Sequence, residues 1–111
     1  MGCRNTFRCP VILGCPMAMS NKLSASGIAY TGSCKFHGFL LGCDGVNDIT
    51  DLTIYDGLDN TGKEIVPTSD YEADYKGLNG VVGLNIACSD GIYCEFTCAG
   101  TAEVSLFVTP N

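Results

Sequence analysis

Polar and apolar residues alternate along most of this chain from Ser24 onward, which is the pattern of half-buried β-strands. In CKFHGFLLG, for example, Lys35 and His37 fall on the face opposite Cys34 and Phe36. Turn-forming residues separate such stretches in CDGVND, GLDNTGK and SDG. No segment has a helical period, so the sequence predicts an all-β chain.

The same alternation predicts which side chains face a core. SDG is expected to form a tight hairpin, and Pro67 is expected to end the short strand KEIVP. Tyr71, Ala73 and Tyr75 share one face of another strand, and Thr53 and Tyr55 lie opposite Leu52 and Ile54. The residues expected to point inward are Cys34, Phe36, Gly38, Leu40, Leu52, Ile54, Val82, Leu84, Ile86, Cys88, Ile92, Cys94, Phe96, Cys98, Val104, Leu106 and Val108.

Short strands at a spacing of roughly ten residues are typical of a sandwich or small barrel. The sequence therefore predicts an antiparallel β-sandwich, jelly-roll-like or Ig-like, over residues 24–111, with about seven or eight strands. Pro10 and Pro16 interrupt residues 1–23, which we expect to form an extended N-terminal arm.

Composition adds an expectation about partners. Hydrophobic residues are 46% of the chain and charged residues only 16%, so few charges are available to cover the surface. We expect neighbouring subunits to cover part of it, as in a homo-oligomer within a larger assembly. There is no apolar run of about 18 residues and no clear secretion signal, so we expect no membrane association and a retained Met1.

Charge is divided unevenly along the chain. Residues 1–37 carry four basic residues and no acid, whereas residues 38–111 carry all twelve acids and two lysines. An acidic body disfavours nucleic acid as a partner. It favours a basic arm lying on an acidic surface of its own chain or of a neighbour.

Eight cysteines invite three interpretations, which the spacing leaves open: disulfides, buried free thiols, or ligands of a metal or iron–sulfur cluster. No C-x2-C pair is present, and His37 is the only histidine. No catalytic or phosphate-binding motif occurs, so we expect neither an enzyme nor a cofactor. The acids of CDGVND and DGLDN fit turns better than calcium ligands, and Tyr71, Tyr75 and Tyr93 are candidate anchors for a partner or glycan. The disulfide candidates are Cys3, Cys9, Cys15, Cys34, Cys43, Cys88, Cys94 and Cys98.

The order TIYDG, polar turn, TGKEI, GLNGVVGLNIACSDG and GTAEVSLFVTP resembles small β-sandwich structural proteins of tailed bacteriophages. The matching stretches are residues 52–57 and 80–108, with a weaker match over 24–42. The resemblance implies a non-enzymatic virion protein assembled in the host cytoplasm. It would be a capsid decoration or cement protein that contacts its own copies or a major capsid protein, or else a tail or neck component. The alternative is a secreted, extracellular, disulfide-rich module that binds a carbohydrate or receptor.

The arm carries the remaining expectations. We expect residues 1–23 to lie across a sheet edge or groove, with Val11, Ile12 and Leu13 as apolar anchors and with Arg4 and Arg8 facing acids. One or more of the arm cysteines would then lock it covalently to the body, for example to Cys34 or Cys43.

Overall fold

The computed structural model describes residues 18–72 and 79–111. These residues form eight strands and no helix. The strands are β1 Met19–Leu23, β2 Gly27–Thr31, β3 Cys34–Cys43, β4 Ile49–Asp56, β5 Lys63–Tyr71, β6 Asn79–Cys88, β7 Gly91–Cys98 and β8 Ala102–Pro110.

Two antiparallel sheets of four strands each contain all of these strands. The first sheet has the order β1-β8-β3-β6, and the second has the order β2-β7-β4-β5. Strands β1 to β4 therefore pair in sequence with β8, β7, β6 and β5, as in one long hairpin rolled over on itself. This is the jelly-roll arrangement. It confirms the predicted β-sandwich and selects the jelly roll over the Ig-like alternative.

The core lies between the two sheets. Strands β7 and β8 alternate strictly, and the predicted inward residues of both, such as Ile92 and Leu106, are buried or half-buried. Burying each large aliphatic side chain stabilises the fold by about 1.5–3 kcal/mol. The fully buried side chains are Cys34, Phe36, Leu41, Ile49, Leu52, Ile54, Ile92, Cys94, Val104, Leu106 and Val108.

A β-bulge at His37 overturns one part of the predicted pattern. Phe36 and Gly38 pair with the consecutive residues Val108 and Phe107 of β8, so His37 is an extra residue in β3. An extra residue moves every later side chain to the opposite face. Phe39 and Leu41 are therefore buried, with exposed fractions of 2% and 1%. The prediction that Leu40 points inward is wrong, because Leu40 lies on the outer face.

The same irregularity continues into β6. Three residues, Gly83 to Asn85, lie between the partners of Phe36 and Gly38 on that strand. Leu84 and Ile86 are half-buried and Cys88 is buried, as expected. Val82, which was predicted to face the core, is 60% exposed.

The predicted SDG hairpin is also wrong. Ser89 and Asp90 connect β6 to β7, but these two strands belong to different sheets. The short connection is instead a crossing from one sheet to the other. Gly91 permits it because its φ is 144° and a Cβ there would overlap the carbonyl oxygen of Tyr30.

Two predicted boundaries differ from the structure. Strand β5 continues through Pro67 to Tyr71, so Pro67 does not end it. An edge strand tolerates proline because one side of its backbone needs no partner.

Residues 19–23, the last part of the predicted arm, form β1 and pair with β8 along the edge of the first sheet. Residues 1–17 and 73–78, which include Ala73 and Tyr75, lie outside the described residues.

Candidate functional site

Eight of the predicted site residues precede the described part of the chain. They lie in the segment that leads into β1, which begins at Met19 opposite Val108 of β8. These residues are Cys3, Cys9, Cys15, Arg4, Arg8, Val11, Ile12 and Leu13.

The five described cysteines are free thiols: Cys34, Cys43, Cys88, Cys94 and Cys98. Predicted disulfides among these five are therefore not formed in this structure. Burial in the core raises the pKa of Cys88 and of Cys94 to about 12 in each case, which suppresses thiolate chemistry while they stay buried.

The predicted bond between the arm and Cys34 conflicts with the burial of that residue. Cys34 has no exposed surface, so an arm cysteine could not contact it without opening the sandwich. Cys43 is half-buried at the opposite end of β3 and is the better of the two predicted partners. A bond between the arm and Cys43 stays a prediction.

An apolar strip crosses the outer face of the first sheet. Phe107 of β8, Gly38 of β3 and Val82 of β6 lie side by side as direct partners. One row along, Leu40 lies between Ser105 and Gly80. We call Leu40, Val82 and Phe107 the outer strip. Gly38 and Gly80 have no side chains to cover it, so apolar surface remains open to solvent.

A shallow depression lies beside the outer strip and contains about 390 Å³. An ion pair between Lys22 and Glu103, with an N–O distance of 3.2 Å, lies at its border. Both side chains are more than half exposed, so the pair adds little to stability. The depression is shallow and open, which suits contact with another protein surface better than enclosure of a small ligand.

Strand β6 forms one edge of the first sheet next to this strip. It is ten residues long and contains neither a charged residue nor a proline. Val81 and Val82 are 44% and 60% exposed. Natural edge strands are usually short, charged, bulged or proline-containing, because unpaired backbone groups recruit other strands. Within residues 18–72 and 79–111, the irregularity at Gly83 to Asn85 is the only such protection of this edge.

A pair of tyrosines marks the outer face of the second sheet. The ring centroids of Tyr55 and Tyr93 are 6.1 Å apart, and Tyr55 Oη donates to Glu95 Oε1 over 3.5 Å. Partial desolvation, together with the negative charges of Glu95 and Glu64, raises the pKa of Tyr55 despite an opposing hydrogen bond to Thr53. Paired rings flanked by carboxylates could stack on a sugar and bind its hydroxyls.

Only one of the predicted tyrosine anchors is part of this pair. Tyr93 is, whereas Tyr71 is half-buried and accepts a hydrogen bond from Ser69 Oγ over 3.2 Å. Tyr75 lies outside the described residues. Tyr55 was not among the predicted anchors, although the alternation in TIYDG places it on the face opposite Leu52 and Ile54.

Aspartates in the loops hold neighbouring backbone segments together. The Asp44 carboxylate accepts hydrogen bonds from the backbone N–H groups of Val46, Asn47 and Thr101, which lowers the pKa of Asp44. It thereby ties the loop after β3 to the loop before β8. The predicted turn role of this aspartate is confirmed. In residues 18–72 and 79–111, no three His, Cys, Asp or Glu side chains are grouped to hold a metal ion.

Asp56 plays the same part at the other end of the sandwich. Its carboxylate accepts from the backbone N–H groups of Ser89 and Asp90 at 3.1 and 3.0 Å. Although partial burial acts against it, hydrogen bonds from Asp90, Ser89 and Gly91 lower the pKa of Asp56. This carboxylate therefore anchors the crossing between the two sheets.

His37 fills the bulge in β3. One ring nitrogen, Nδ1, lies 3.0 Å from the carbonyl oxygen of Leu84, and Nε2 lies 2.6 Å from Thr109 Oγ1. Because a carbonyl only accepts, Nδ1–H donates to Leu84, and in the neutral ring Nε2 then accepts from the Thr109 hydroxyl. Both nitrogens are engaged in bridging β6 and β8, so the arrangement gives His37 a structural role.

The described residues thus present two open surfaces, one on each sheet, rather than a catalytic cluster. The described part of the chain contains no helix that is long and apolar enough to cross a membrane. Comparison of the chain with protein families, with curated proteins and with solved structures found no match.

Proposed function

We propose that this chain is a non-enzymatic structural protein of a virion, a decoration or cement component that works by associating with copies of itself. The observation that carries the proposal is the exposed, uncharged edge strand β6 beside the apolar outer strip. An edge of this kind favours self-association, and selection against aggregation normally removes it from monomers.

A second copy is the partner that β6 fits best. Two β6 strands related by a twofold axis would pair antiparallel and extend the first sheet across both subunits. The twofold places each outer strip on the same side of the joined sheet. Neither strand brings a charge to the junction, so no like-charge repulsion opposes it.

Substitution of Val82 by lysine tests this proposal. In Val82→Lys, a charge at the edge should weaken association about tenfold or more, measured by sedimentation equilibrium of the full chain. Val46→Lys is the matched control, because Val46 is 78% exposed and lies in the loop after β3, outside β6. A wild-type chain that stays monomeric at high concentration, or equal association of both variants, would contradict the proposal.

The arm supplies a second proposed contact. Deleting residues 1–16 removes Val11, Ile12 and Leu13 and leaves every described strand in place. We expect the truncated chain to associate more weakly, and the Arg4→Ala/Arg8→Ala variant to change less, because exposed ion pairs contribute only about 0–1 kcal/mol. Unchanged association after the deletion would remove the arm from the proposal.

The virion role is supported by the resemblance described above and by the jelly-roll topology, which recurs in viral capsid domains. Peptide mass spectrometry of purified virus particles should detect this chain at many copies per particle. Its absence from purified particles would overturn the virion role and leave self-association to be explained otherwise.

The Tyr55–Tyr93 pair favours a second candidate function, the secreted carbohydrate-binding module. Lectin domains also use the jelly roll. A glycan array would test it: a specific glycan should bind the wild type and lose at least tenfold in affinity in Tyr93→Ala. Binding that Tyr93→Ala leaves unchanged, or no bound glycan, would reject this candidate.

A further inference from the structure

Two buried cysteines face each other across neighbouring strands of the first sheet. Cys34 is the first residue of β3, Cys88 is the last residue of β6, and the two are direct partners in the antiparallel register. Their exposed fractions are 0% and 2%, and the Cys88 thiol donates to the carbonyl oxygen of Ile86 over 3.7 Å. Among the other described cysteines, Cys43 is opposite Ala102 and Cys98 is opposite Ile49.

Direct partners in an antiparallel pair have Cα atoms about 4.5–5.5 Å apart, and their side chains point to the same face. Disulfides usually join Cα atoms about 4.4–6.8 Å apart. The backbone around Cys34 and Cys88 therefore lies within the range that a disulfide requires. No strand has to shift register for the two sulfurs to bond.

We propose that Cys34 and Cys88 form an oxidisable pair whose disulfide fastens the edge strand β6 to the rest of the first sheet. The oxidant is a small-molecule disulfide such as oxidised glutathione. One thiolate attacks it and releases one small thiol, and the second thiolate then displaces the other small thiol from the mixed disulfide. Both S–H bonds are lost, one S–S bond forms between the cysteines, and the two electrons reduce the oxidant.

Burial controls the rate of this reaction. An oxidant can reach Cys34 or Cys88 only when β6 separates from β3, and burial raises the pKa of both thiols. Closure is therefore slow in the folded state, and the same burial slows reduction of the closed pair. The chain can fold as a dithiol in a reducing compartment and acquire the bond afterwards in an oxidising one. This inference does not depend on the proposed assembly role.

The disulfide would close a loop of more than fifty residues, which is long enough for a large effect on the unfolded chain. The experiment compares the full-length protein after incubation with oxidised glutathione and with dithiothreitol. Free thiols are then alkylated, and the linked peptides are identified by mass spectrometry after proteolysis. We expect a Cys34–Cys88 peptide in the oxidised sample and a rise in Tm of about 10 °C.

Two variants test whether the rise in Tm on oxidation comes from the Cys34–Cys88 bond. Cys88→Ala should lose most of the redox-dependent shift in Tm, and Cys43→Ala should keep it. Linkage of Cys34 or Cys88 to other cysteines, or alkylation of both after denaturation of the oxidised sample, would overturn the inference. If Cys88→Ala does not fold, the peptide map of the wild type decides by itself.

Discussion

Strands β5 and β6 are both edge strands of similar length, nine and ten residues, and both pair irregularly with their neighbour, but only β5 also carries charges and a proline. β5 carries Lys63, Glu64 and Asp70, contains Pro67 and pairs irregularly with β4. β6 carries no charge and no proline, and two of its valines are exposed. Both edges belong to one domain and carry the same risk of aggregation, yet they differ in charge and in proline content. The less protected edge, β6, is therefore the better candidate for a specific contact.

The largest expected effect concerns how β6 is held. Gly38 of β3 has a φ of 139°, and a Cβ there would overlap the carbonyl oxygen of Val81. Gly38→Ala should therefore destabilise the protein by about 2–4 kcal/mol, because both backbone strain and a steric clash oppose it. Urea unfolding of the two proteins measures the difference.

Gly83→Ala in β6 is the matched control for that substitution. Gly83 also has a positive φ, 84°, but a Cβ there has no heavy atom within 4 Å. Gly83→Ala should therefore lose stability only through backbone strain, about 1–2 kcal/mol. Equal losses in the two variants would show that close approach of β3 and β6 at Gly38 does not matter.

The next effect concerns the end of the sandwich where β5 begins and β6 ends. Asp56, opposite Lys63 of β5, accepts hydrogen bonds from the two residues that follow β6. Asp56→Ala should cost about 1–2 kcal/mol, because the backbone N–H groups of Ser89 and Asp90 lose a charged acceptor. Thermal unfolding at neutral pH measures the loss, and Asp90→Ala, on the exposed turn, should lose less.

Acid should produce part of the same loss without a substitution. The folded-state pKa values of Asp44, Asp56 and Asp59 are lowered, so their contribution is complete above the unfolded pKa of about 4 and is lost as pH falls through the folded values. Stability should therefore fall on acidification below about pH 4. Asp56→Ala should show a shallower fall, and parallel pH profiles would contradict the role given to Asp56.

A smaller effect is expected when β5 is made to resemble β6. Glu64→Val/Asp70→Val removes two charges from that edge, and we expect it to strengthen self-association by roughly threefold to tenfold. Sedimentation at several protein concentrations measures the change. If the double variant stays as monomeric as its parent while wild-type β6 associates, edge charge is not what separates the two strands.

The smallest effect is expected at Pro67. No residue of β4 pairs directly with Pro67, so its missing N–H leaves no acceptor unsatisfied in the ladder. Pro67→Val should change the free energy of unfolding by less than about 0.5 kcal/mol. A large loss would mean that the proline stiffens β5 rather than merely being tolerated there.

The sequence by itself determined the class of fold and most of the core. Strict alternation in β7 and β8 identified Ile92, Cys94, Val104 and Leu106, because a strand with one buried face must repeat every two residues. Turn chemistry likewise located the loops around Asp44 and Asp59. These features are local, and local chemistry is sufficient to specify them.

Only the tertiary structure decided where that alternation breaks and which strands meet. One extra residue at His37 moved Leu40 to the outer face and buried Phe39 and Leu41. The sequence CKFHGFLLG does not predict this bulge, because a bulge is defined by the pairing with the partner strands. The SDG turn joins two sheets for the same reason: a turn specifies a reversal but not the sheet that the next strand enters. The pairing of Cys34 with Cys88 follows from register between strands far apart in sequence, which hydrophobic periodicity cannot encode.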